Sequence, residues 1–213
     1  FLKLKNKNWK IDDVIKKTGI IKRYLSNNSE STLSLAKNSV SKILKKIDKK
    51  KIDFVIFVSQ TYLKNLTSAA NIIQNHFALK KDILVFDLNI GCSGFIYALK
   101  IASSIINNEY KNGIIVCADT YTKNISIHNK SARPIFSDGS ASVLVSYSKK
   151  NNSCKFDFGS DGSGASDLII LENDQKSYPF LKKNEIYMNG GKIALFTMNV
   201  VPNSVKQVLK KNK

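Results

Sequence analysis

The sequence predicts an α/β fold, and three observations support that class. First, segments whose apolar residues recur at helical spacing alternate along the chain with short apolar runs that are rich in β-branched residues. Second, polar clusters or glycines bound these runs, as is typical of buried strands. Third, such alternation indicates parallel strands joined by crossover helices. A hydrophobic content of 43% over 213 residues is sufficient for a substantial core.

The first two thirds of the chain contain the clearest elements. Residues 26–31 form a polar cluster that can cap a helix, and the apolar residues after it keep helical spacing up to residue 47. The continuous apolar run at 53–59 is typical of a buried strand. In order, the predicted elements are helix 33–47, strand 53–59, helix 68–79, strand 83–88, helix 92–108, strand 113–118 and strand 140–147.

Beyond residue 130 the predicted elements become shorter. They are a strand at 155–158 that pairs with the strand at 140–147, a strand at 168–171 and a helix at 188–200. Pro202 either begins a further helical segment or kinks this helix, because proline lacks the N–H that a helix interior needs. We expect one compact layered domain over residues 1–213, truncated at both ends.

Cys92 lies where the strand at 83–88 passes into the helix that follows. Backbone N–H groups and the positive end of the helix dipole favour the thiolate over the thiol at such a junction. Gly91 and Gly94 are expected to give the turn its backbone freedom and to leave space beside the sulfur. Two interpretations follow from these surroundings: a catalytic nucleophile, or a small buried structural cysteine.

The three cysteines, Cys92, Cys117 and Cys154, are odd in number and form no C-x-x-C pair. This pattern is typical of reduced thiols in a cytoplasmic protein, and it argues against disulfides and against a metal site. No run reaches the apolar length of a membrane span, and the first residues lack the apolar core of a signal peptide. Because the chain has no initiator Met, we expect it to be a piece of a longer protein.

A net charge of +18 makes nucleic acid and anionic membranes candidate partners. The lysines are nevertheless spread along the whole length, and no basic helix or interleaved aromatic stripe concentrates them. Asparagine is also abundant, so a genome-wide bias toward Lys, Asn and Ile explains the charge better. We therefore predict no nucleic-acid and no membrane partner, although a basic surface would suit an acidic protein or a phosphate-bearing ligand.

Five stretches, in chain order, resemble the N-terminal half of β-ketoacyl-acyl carrier protein synthase III, a condensing enzyme of the thiolase superfamily. They are KTGIIKR at 17–23, TSAANIIQ at 67–74, DLNIGCSGF at 87–95, FSDGSA at 136–141 and GSDGS at 159–163. Met188-Asn-Gly190, followed by an apolar helix, is a sixth match. The order and spacing of these pieces, from about Ile11 to Leu209, make the resemblance specific.

The resemblance implies a thiolase-like αβαβα layered fold, of which this chain is mostly the N-terminal half of two pseudo-repeats. It also implies an acyltransferase that acts in fatty-acid initiation as a homodimer, with acyl-CoA as a substrate and no cofactor. In the family, the cysteine matching Cys92 takes the acyl group as a thioester. Malonyl-acyl carrier protein then loses carbon dioxide, and the carbanion attacks the acyl-enzyme to give a β-ketoacyl-carrier protein.

Substrate-binding positions are implied in the same way. Lys17 and Thr18 match the pair that lines the pantetheine entrance, with lysine where many relatives carry an arginine for the CoA phosphates. Met188 and Gly190 match residues of the tunnel wall. Thr18 could instead belong to a simple turn with Gly19.

Arg133 lies near the position of a nucleotide-contacting arginine, although it could instead be a surface ion-pair residue. Leu66 stands where relatives often carry a bulky aromatic residue that limits the acyl pocket. Because leucine is smaller, we predict an acyl group longer or more branched than acetyl. A tryptophan that stacks on adenine in the family is replaced here by Asp13, while Trp9 lies farther upstream.

The family's catalytic His and Asn are expected after Lys213. His76 is expected to be a half-buried helix residue and His128 a loop residue, and neither matches a catalytic position. The isolated chain is therefore expected to expose apolar helix surface and to be inactive in condensation.

Three other functions remain open. A related acyltransferase could pass the acyl group to another acceptor in a specialised lipid or glycan pathway. A cysteine hydrolase is disfavoured because Phe95 stands where G-x-S-x-G requires glycine. A non-enzymatic module that binds nucleic acid rests on charge alone.

Overall fold

The computed structural model describes residues 10–62, 66–150, 154–170 and 183–212. Its helices are α1 (Ile11–Thr18), α2 (Thr32–Leu44), α3 (Ala69–His76), α4 (Gly94–Ile105) and α5 (Gly190–Lys211). Its strands are β1 (Phe54–Val58), β2 (Leu84–Leu88), β3 (Asn112–Asp119), β4 (Gly139–Ser146), β5 (Leu168–Ile170) and β6 (Ile186–Met188). Short 3-10 helices occupy Lys49–Lys51, Tyr121–Asn124 and Gly162–Asp167.

The chain packs as two compact units. Residues 24–120 and 138–151 form one, called here the sheet unit, and residues 1–23, 121–137 and 152–213 form the other, called the terminal unit. The sequence-based expectation of one domain over the whole chain stays a prediction.

The sheet unit is built on a four-stranded sheet in the order β2-β1-β3-β4. β1 runs parallel to both neighbours, with Phe54 opposite Leu84 on one side and Gly113 on the other. β4 is antiparallel to β3, with Gly139 opposite Asp119. The predicted α/β alternation with parallel strands is therefore confirmed.

Helices cover both faces of this sheet, which makes three layers. Side chains of β1 alternate between the two sides: Val55 and Phe57 pack in one buried cluster with residues of α2 and α3. Phe54, Ile56 and Val58 pack in a second cluster with residues of α4. All five residues of β1 are buried, as expected of a central parallel strand. Burial of each large side chain contributes about 1.5–3 kcal/mol.

Local signals explain where the helices of the sheet unit begin. Ser31 caps α2 through a capping box, in which its side chain accepts from the Ser34 N–H and the Ser34 hydroxyl accepts from the Ser31 N–H. Ser68 caps α3 by accepting from the Asn71 N–H. Asp87 of β2 adds to this cap, because its carboxylate accepts from the N–H groups of Ala69 (2.6 Å) and Ala70 (2.9 Å).

The terminal unit has a smaller core. Ile125, Ala132 and Ile186 are buried there, with Phe136 and Met188 among the side chains packed against them. β5 and β6 form a two-stranded antiparallel sheet. Of the 22 residues of α5, none is buried. Among the described residues, no helix combines the length and the apolar character needed to cross a membrane.

Two predictions for this part of the chain are wrong. Residues 155–158 form no strand. The strand that pairs with β5 is formed by residues 186–188. Met188 thus ends a strand, and α5 runs from Gly190 to Lys211 with Pro202 inside it, so no separate helical segment begins at this proline. A three-residue strand is too short to show a two-residue periodicity, which is why the sequence did not reveal β6.

Candidate active site

The carboxyl ends of the three parallel strands lie at one edge of the sheet, called here the carboxyl edge. β1 ends there at Val58, β2 at Leu88 and β3 at Asp119. Ligand sites of open α/β sheets form beyond this edge, because the connecting segments there can vary without disturbing the core. Cys92 lies in the segment that leaves β2.

Cys92 is exposed and lies in the turn between β2 and α4. The Gly94 N–H donates to the Gly91 carbonyl (2.8 Å), and the N–H groups of Ile96 (3.0 Å) and Tyr97 (3.2 Å) donate to the Ser93 carbonyl. The helix therefore begins at Gly94, so the prediction that Cys92 lies in its first turn is wrong by two positions. The interpretation of Cys92 as a buried structural cysteine is also wrong.

The start of α4 is pressed against β1. A Cβ atom on Gly94 would lie 2.4 Å from Cγ1 of Val58 and 3.4 Å from Cβ of Ile90. Only glycine permits this approach. Among the described glycines only Gly19 has a positive φ, so Gly94 serves close packing and not an unusual backbone angle.

Gly91, the residue before the cysteine, is covered by a side chain from the segment that follows β1. A Cβ atom on Gly91 would lie 2.3 Å from Oε1 of Gln60 and 2.9 Å from its Cδ. The Gln60 amide therefore packs directly on Gly91, and the space that the sequence predicted beside the sulfur is occupied on this side.

The segment after β1 is itself held by Asp119, the last residue of β3. One carboxylate oxygen, Oδ1, accepts from the Ser59 hydroxyl (3.0 Å), the Gln60 N–H (2.9 Å), the Thr61 N–H (3.0 Å) and the Thr61 hydroxyl (2.8 Å). The Thr120 N–H donates to the Thr61 hydroxyl at 3.0 Å. Burial raises the pKa of Asp119, and the hydrogen bonds from Thr61, Gln60 and Ser59 offset part of that rise.

The other two cysteines have different surroundings. Cys117 is half-buried in β3, where burial, reinforced by the negative charge of Asp119, raises its pKa to about 11. Cys154 is exposed, and its thiol lies 3.8 Å from the Lys155 carbonyl oxygen. All three thiols are free of disulfides. Of the three, only Cys92 lies between a parallel strand and the helix that follows it.

No sequence motif identified Asp119, Gln60 and Asp87 as parts of this edge. The signal for Asp119 is an acidic residue at the end of an otherwise apolar strand, a place where side chains of neighbouring strands meet. Within the described residues, no group of three or more His, Cys, Asp or Glu side chains could hold a metal ion.

The implied substrate-binding residues are divided between the units. Leu66 is fully exposed in the sheet unit, a few residues before α3. The other five, Lys17, Thr18, Arg133, Met188 and Gly190, lie in the terminal unit. The role of each in substrate binding stays a prediction.

Thr18 and Gly19 form the turn that was the alternative interpretation. The Thr18 hydroxyl donates to the Val14 carbonyl (2.7 Å) and accepts from the Ile20 N–H (3.2 Å). Gly19 ends α1 with a φ of 69°, a left-handed angle that glycine adopts readily. Lys17 is exposed in the last turn of the same helix.

Arg133 is only 7% exposed, so its interpretation as a surface residue is wrong. Its Nη1 donates to the carbonyls of Thr122 (2.9 Å) and Ile125 (3.1 Å).

Met188 ends β6, and Gly190 is the first residue of α5. The Cε atom of Met188 lies 3.8 Å from the position that a Cβ on Gly190 would occupy.

The remaining residues from the sequence interpretation are more peripheral. Trp9 lies outside the described residues. His76 is exposed at the end of α3, with its ring at 86° to that of Phe77, so the half-buried prediction is wrong. His128 is an exposed turn residue, as predicted.

A helix-covered, mostly parallel sheet with an exposed cysteine in a strand-to-helix turn fits the class of thiolase-like α/β proteins. Comparison with solved structures confirms this thiolase-like fold. A structure of 3-oxoacyl-(acyl-carrier-protein) synthase III superposes with a TM-score of 0.89 and 25% identity, over 98% of this chain and 68% of that chain. The corresponding synthase of Burkholderia xenovorans LB400 gives a TM-score of 0.87 and 27% identity, over 99% and 64%.

Sequence comparison confirms the more particular resemblance to β-ketoacyl-acyl carrier protein synthase III. The family model of 3-Oxoacyl-[acyl-carrier-protein (ACP)] synthase III matches residues 86–162, which include Cys92. Beta-ketoacyl-[acyl-carrier-protein] synthase III of Clostridium perfringens strain SM101 is 32% identical over 203 residues. That match covers 92% of this chain, and the chain spans 62% of the length of this relative.

Proposed function

We propose that this chain is the nucleophile-bearing part of an acyltransferase of the 3-oxoacyl-acyl carrier protein synthase III type. Cys92 takes an acyl group from acyl-CoA, and condensation with malonyl-acyl carrier protein gives a β-ketoacyl-acyl carrier protein that starts fatty-acid synthesis. The observation that carries this proposal is the exposed Cys92 thiol at the carboxyl edge, immediately before the amino end of α4.

The first half-reaction needs a thiolate and a place for negative charge. The Cys92 sulfur attacks the thioester carbonyl of acyl-CoA, a C–S bond forms, and CoA leaves as its thiolate. Between these events the carbonyl oxygen carries a negative charge. The Cys92 N–H and the amino end of α4 are suited to stabilise that charge.

In the second half-reaction the malonyl group loses carbon dioxide, and the electron pair of the broken C–C bond remains on carbon. That carbon attacks the Cys92 thioester, forms the new C–C bond and expels the Cys92 thiolate. The partners of this proposal are acyl-CoA, malonyl-acyl carrier protein and a second copy of the protein in a homodimer. The acidic phosphates of CoA suit the basic character of the chain and the exposed Lys17.

Mass spectrometry of the intact chain after incubation with acyl-CoA tests the nucleophile. We expect one acyl adduct, localised by peptide analysis to Cys92 and absent from Cys92→Ser. Cys154→Ser is the matched control, because it removes another exposed thiol, and it should acylate like the parent protein. Absence of the adduct, or its location on Cys154, would contradict the proposal.

Acyl transfer to a different acceptor is distinguished by its product. With the complete protein and malonyl-acyl carrier protein, condensation releases one carbon dioxide for each β-ketoacyl product. Turnover of the Cys92 adduct without carbon dioxide would indicate transfer to another acceptor. A series of acyl-CoA lengths in the same assay tests the prediction from Leu66, and a strict preference for acetyl would reject it.

A further inference from the structure

We infer that Asp119 is a positioning residue for Cys92 and that it acts through Gln60. Asp119 orders the segment after β1, and the Gln60 side chain carried by that segment packs on Gly91 beside the cysteine. This inference rests on the proposed role of Cys92 as the nucleophile.

The first link is the hydrogen bonding of Asp119. Its Oδ1 accepts four hydrogen bonds of 2.8–3.0 Å, and all four donors belong to Ser59, Gln60 and Thr61. These residues follow β1, whereas Asp119 ends β3, so one carboxylate fixes the exit of a neighbouring strand. Charge-assisted bonds to a carboxylate are stronger than neutral ones, and their number makes the conformation of 59–61 rigid.

The second link is the contact between Gln60 and Gly91. A Cβ on Gly91 would lie 2.3 Å from Oε1 of Gln60, so the amide packs on the glycine without a gap. The Gln60 backbone N–H is held by Asp119 at 2.9 Å, so the origin of this side chain is fixed as well. Gly91 accepts the bond from Gly94 that closes the turn around Cys92, at 2.8 Å.

The third link is mechanical. At the other end of the turn, Gly94 packs against Val58, the last residue of β1. The cysteine turn is thus fixed by β1 at Gly94 and by the segment after β1 at Gly91. Removing the Gln60 contact leaves Gly91 without the side chain that covers it, and a displacement of the nucleophile by about 1 Å can slow a reaction by about 10²-fold.

Hydrogen–deuterium exchange and single-turnover acylation test this coupling in three variants of the whole chain. Gln60→Ala keeps the backbone bonds to Asp119 and removes the amide that packs on Gly91. Asp119→Asn removes the charge of the network. Asp53→Asn is the control, because Asp53 also accepts bonds from backbone N–H groups of another strand, at the opposite edge of the same sheet.

We expect Gln60→Ala to speed exchange in peptides covering 89–94 while peptides covering 59–61 keep the parent rate. Asp119→Asn should speed exchange in both segments, and Asp53→Asn in neither. The acylation rate of Cys92 at saturating acyl-CoA should fall about tenfold in the first two variants, with the half-saturating concentration unchanged.

Parent-like exchange over 89–94 in both Gln60→Ala and Asp119→Asn would overturn the inference. If the parent protein takes no acyl group, the proposed function fails. In that case the positioning role of Asp119 is still tested by the exchange pattern. It is also tested by the rate at which iodoacetamide alkylates Cys92, measured relative to the exposed Cys154.

Discussion

At the scale of single residues, the surroundings of each side chain decide what it can do. Cys92 follows β2 and Cys117 lies near the carboxyl end of β3, yet Cys92 is exposed in a turn and Cys117 is half-buried near Asp119. Because the thiolate is the reactive form, burial and a nearby negative charge make Cys117 a poor nucleophile. The different reactivity expected of the Cys92 and Cys117 thiols therefore follows from their positions in the sheet unit, since the residue type is the same.

We predict that iodoacetamide at about pH 7 alkylates Cys92 and Cys154 and leaves Cys117 unmodified. The reason is the pKa of Cys117, which burial raises to about 11 and below which the thiol form predominates. Alkylation of Cys117 should increase only as the pH approaches that value, as measured by peptide mass spectrometry. The denatured protein is the control, since all three thiols should react there. Fast modification of Cys117 in the folded protein would contradict the prediction.

A second prediction concerns close packing in the sheet. A Cβ on Gly113 would lie 2.0 Å from ring atoms of Phe54, which is fully buried, so Gly113→Ala must displace that ring. We expect the free energy of unfolding in urea to fall by about 1–3 kcal/mol.

Gly139→Ala is the matched control. Gly139 is also a strand residue, the first of β4, and a Cβ added there would have no atom within 4 Å. Its effect should stay within about 0.5 kcal/mol. Equal losses in the two variants would show that the Phe54 ring does not determine the effect.

At the scale of elements, single carboxylates connect neighbouring strands and helices. Asp87 of β2 holds the amino end of α3, and Asp119 of β3 holds the exit of β1. At the opposite edge, where β1 begins, Asp53 accepts from the N–H groups of Lys111 (2.8 Å) and Asn112 (2.9 Å) at the start of β3. The Lys80 ammonium, which precedes β2, donates to the same carboxylate at 2.9 Å. Asp53 therefore connects all three parallel strands.

The Asp53 contacts predict a pH-dependent stability. Burial tends to raise the pKa of Asp53, but hydrogen bonds from Asn112, Lys80 and Lys111 outweigh it, so the pKa is lowered in the folded state. A carboxyl whose pKa falls on folding stabilises the folded state at pH values above its unfolded pKa, about 3.9. This contribution is lost as the pH falls through the lower pKa that the group has in the folded state.

Thermal unfolding of the parent and of Asp53→Asn measures this contribution. The parent should have the higher Tm at about pH 6, and the difference should shrink below about pH 4. Glu109→Gln is the control, because Glu109 is an exposed residue of the same unit, and its Tm should stay close to that of the parent at both pH values. A difference that is independent of pH would contradict the electrostatic explanation.

At the scale of the whole molecule, α5 presents the largest set of exposed apolar side chains among the described elements. They are Leu195, Phe196, Met198, Val200, Val201, Val205 and Leu209. None of its residues is buried, although its sequence has the composition of a packed helix. The sequence-based expectation of exposed apolar helix surface is therefore confirmed for α5.

We predict that the 213-residue chain self-associates in solution, because contiguous apolar surface of this kind is unfavourable in water. Sedimentation velocity of the double variant Leu195→Lys, Met198→Lys should show less association than the parent. Gln207→Lys is the control, because it adds a lysine to an exposed polar position of the same helix. A parent chain that sediments as a monomer would contradict the prediction.

The sequence predicted some parts of the architecture better than others. Residues 53–59 and 113–118 have long apolar runs, and the observed β1 and β3 match them to within a residue or two. The strand predicted at 155–158 is absent and the strand at 186–188 was not predicted, because segments of three or four residues depend on partners that are distant in the chain. The same dependence explains why the helix continues past Pro202, where the local pattern allowed a new helical segment to begin.

Local sequence patterns predicted the order of helices and strands in the sheet unit and the position of Cys92 between β2 and α4, because periodicity, capping residues and glycines act over a few neighbouring positions. The contacts that join Asp119 to Gln60 and Gln60 to Gly91 arise only in the folded chain. The three residues are separated by about 30 residues or more along the chain, and the parallel pairing of β1 with β2 and β3 brings their segments to one edge. Contacts that arise from strand pairing leave no local pattern, so the surroundings of the nucleophile became visible only in the folded chain.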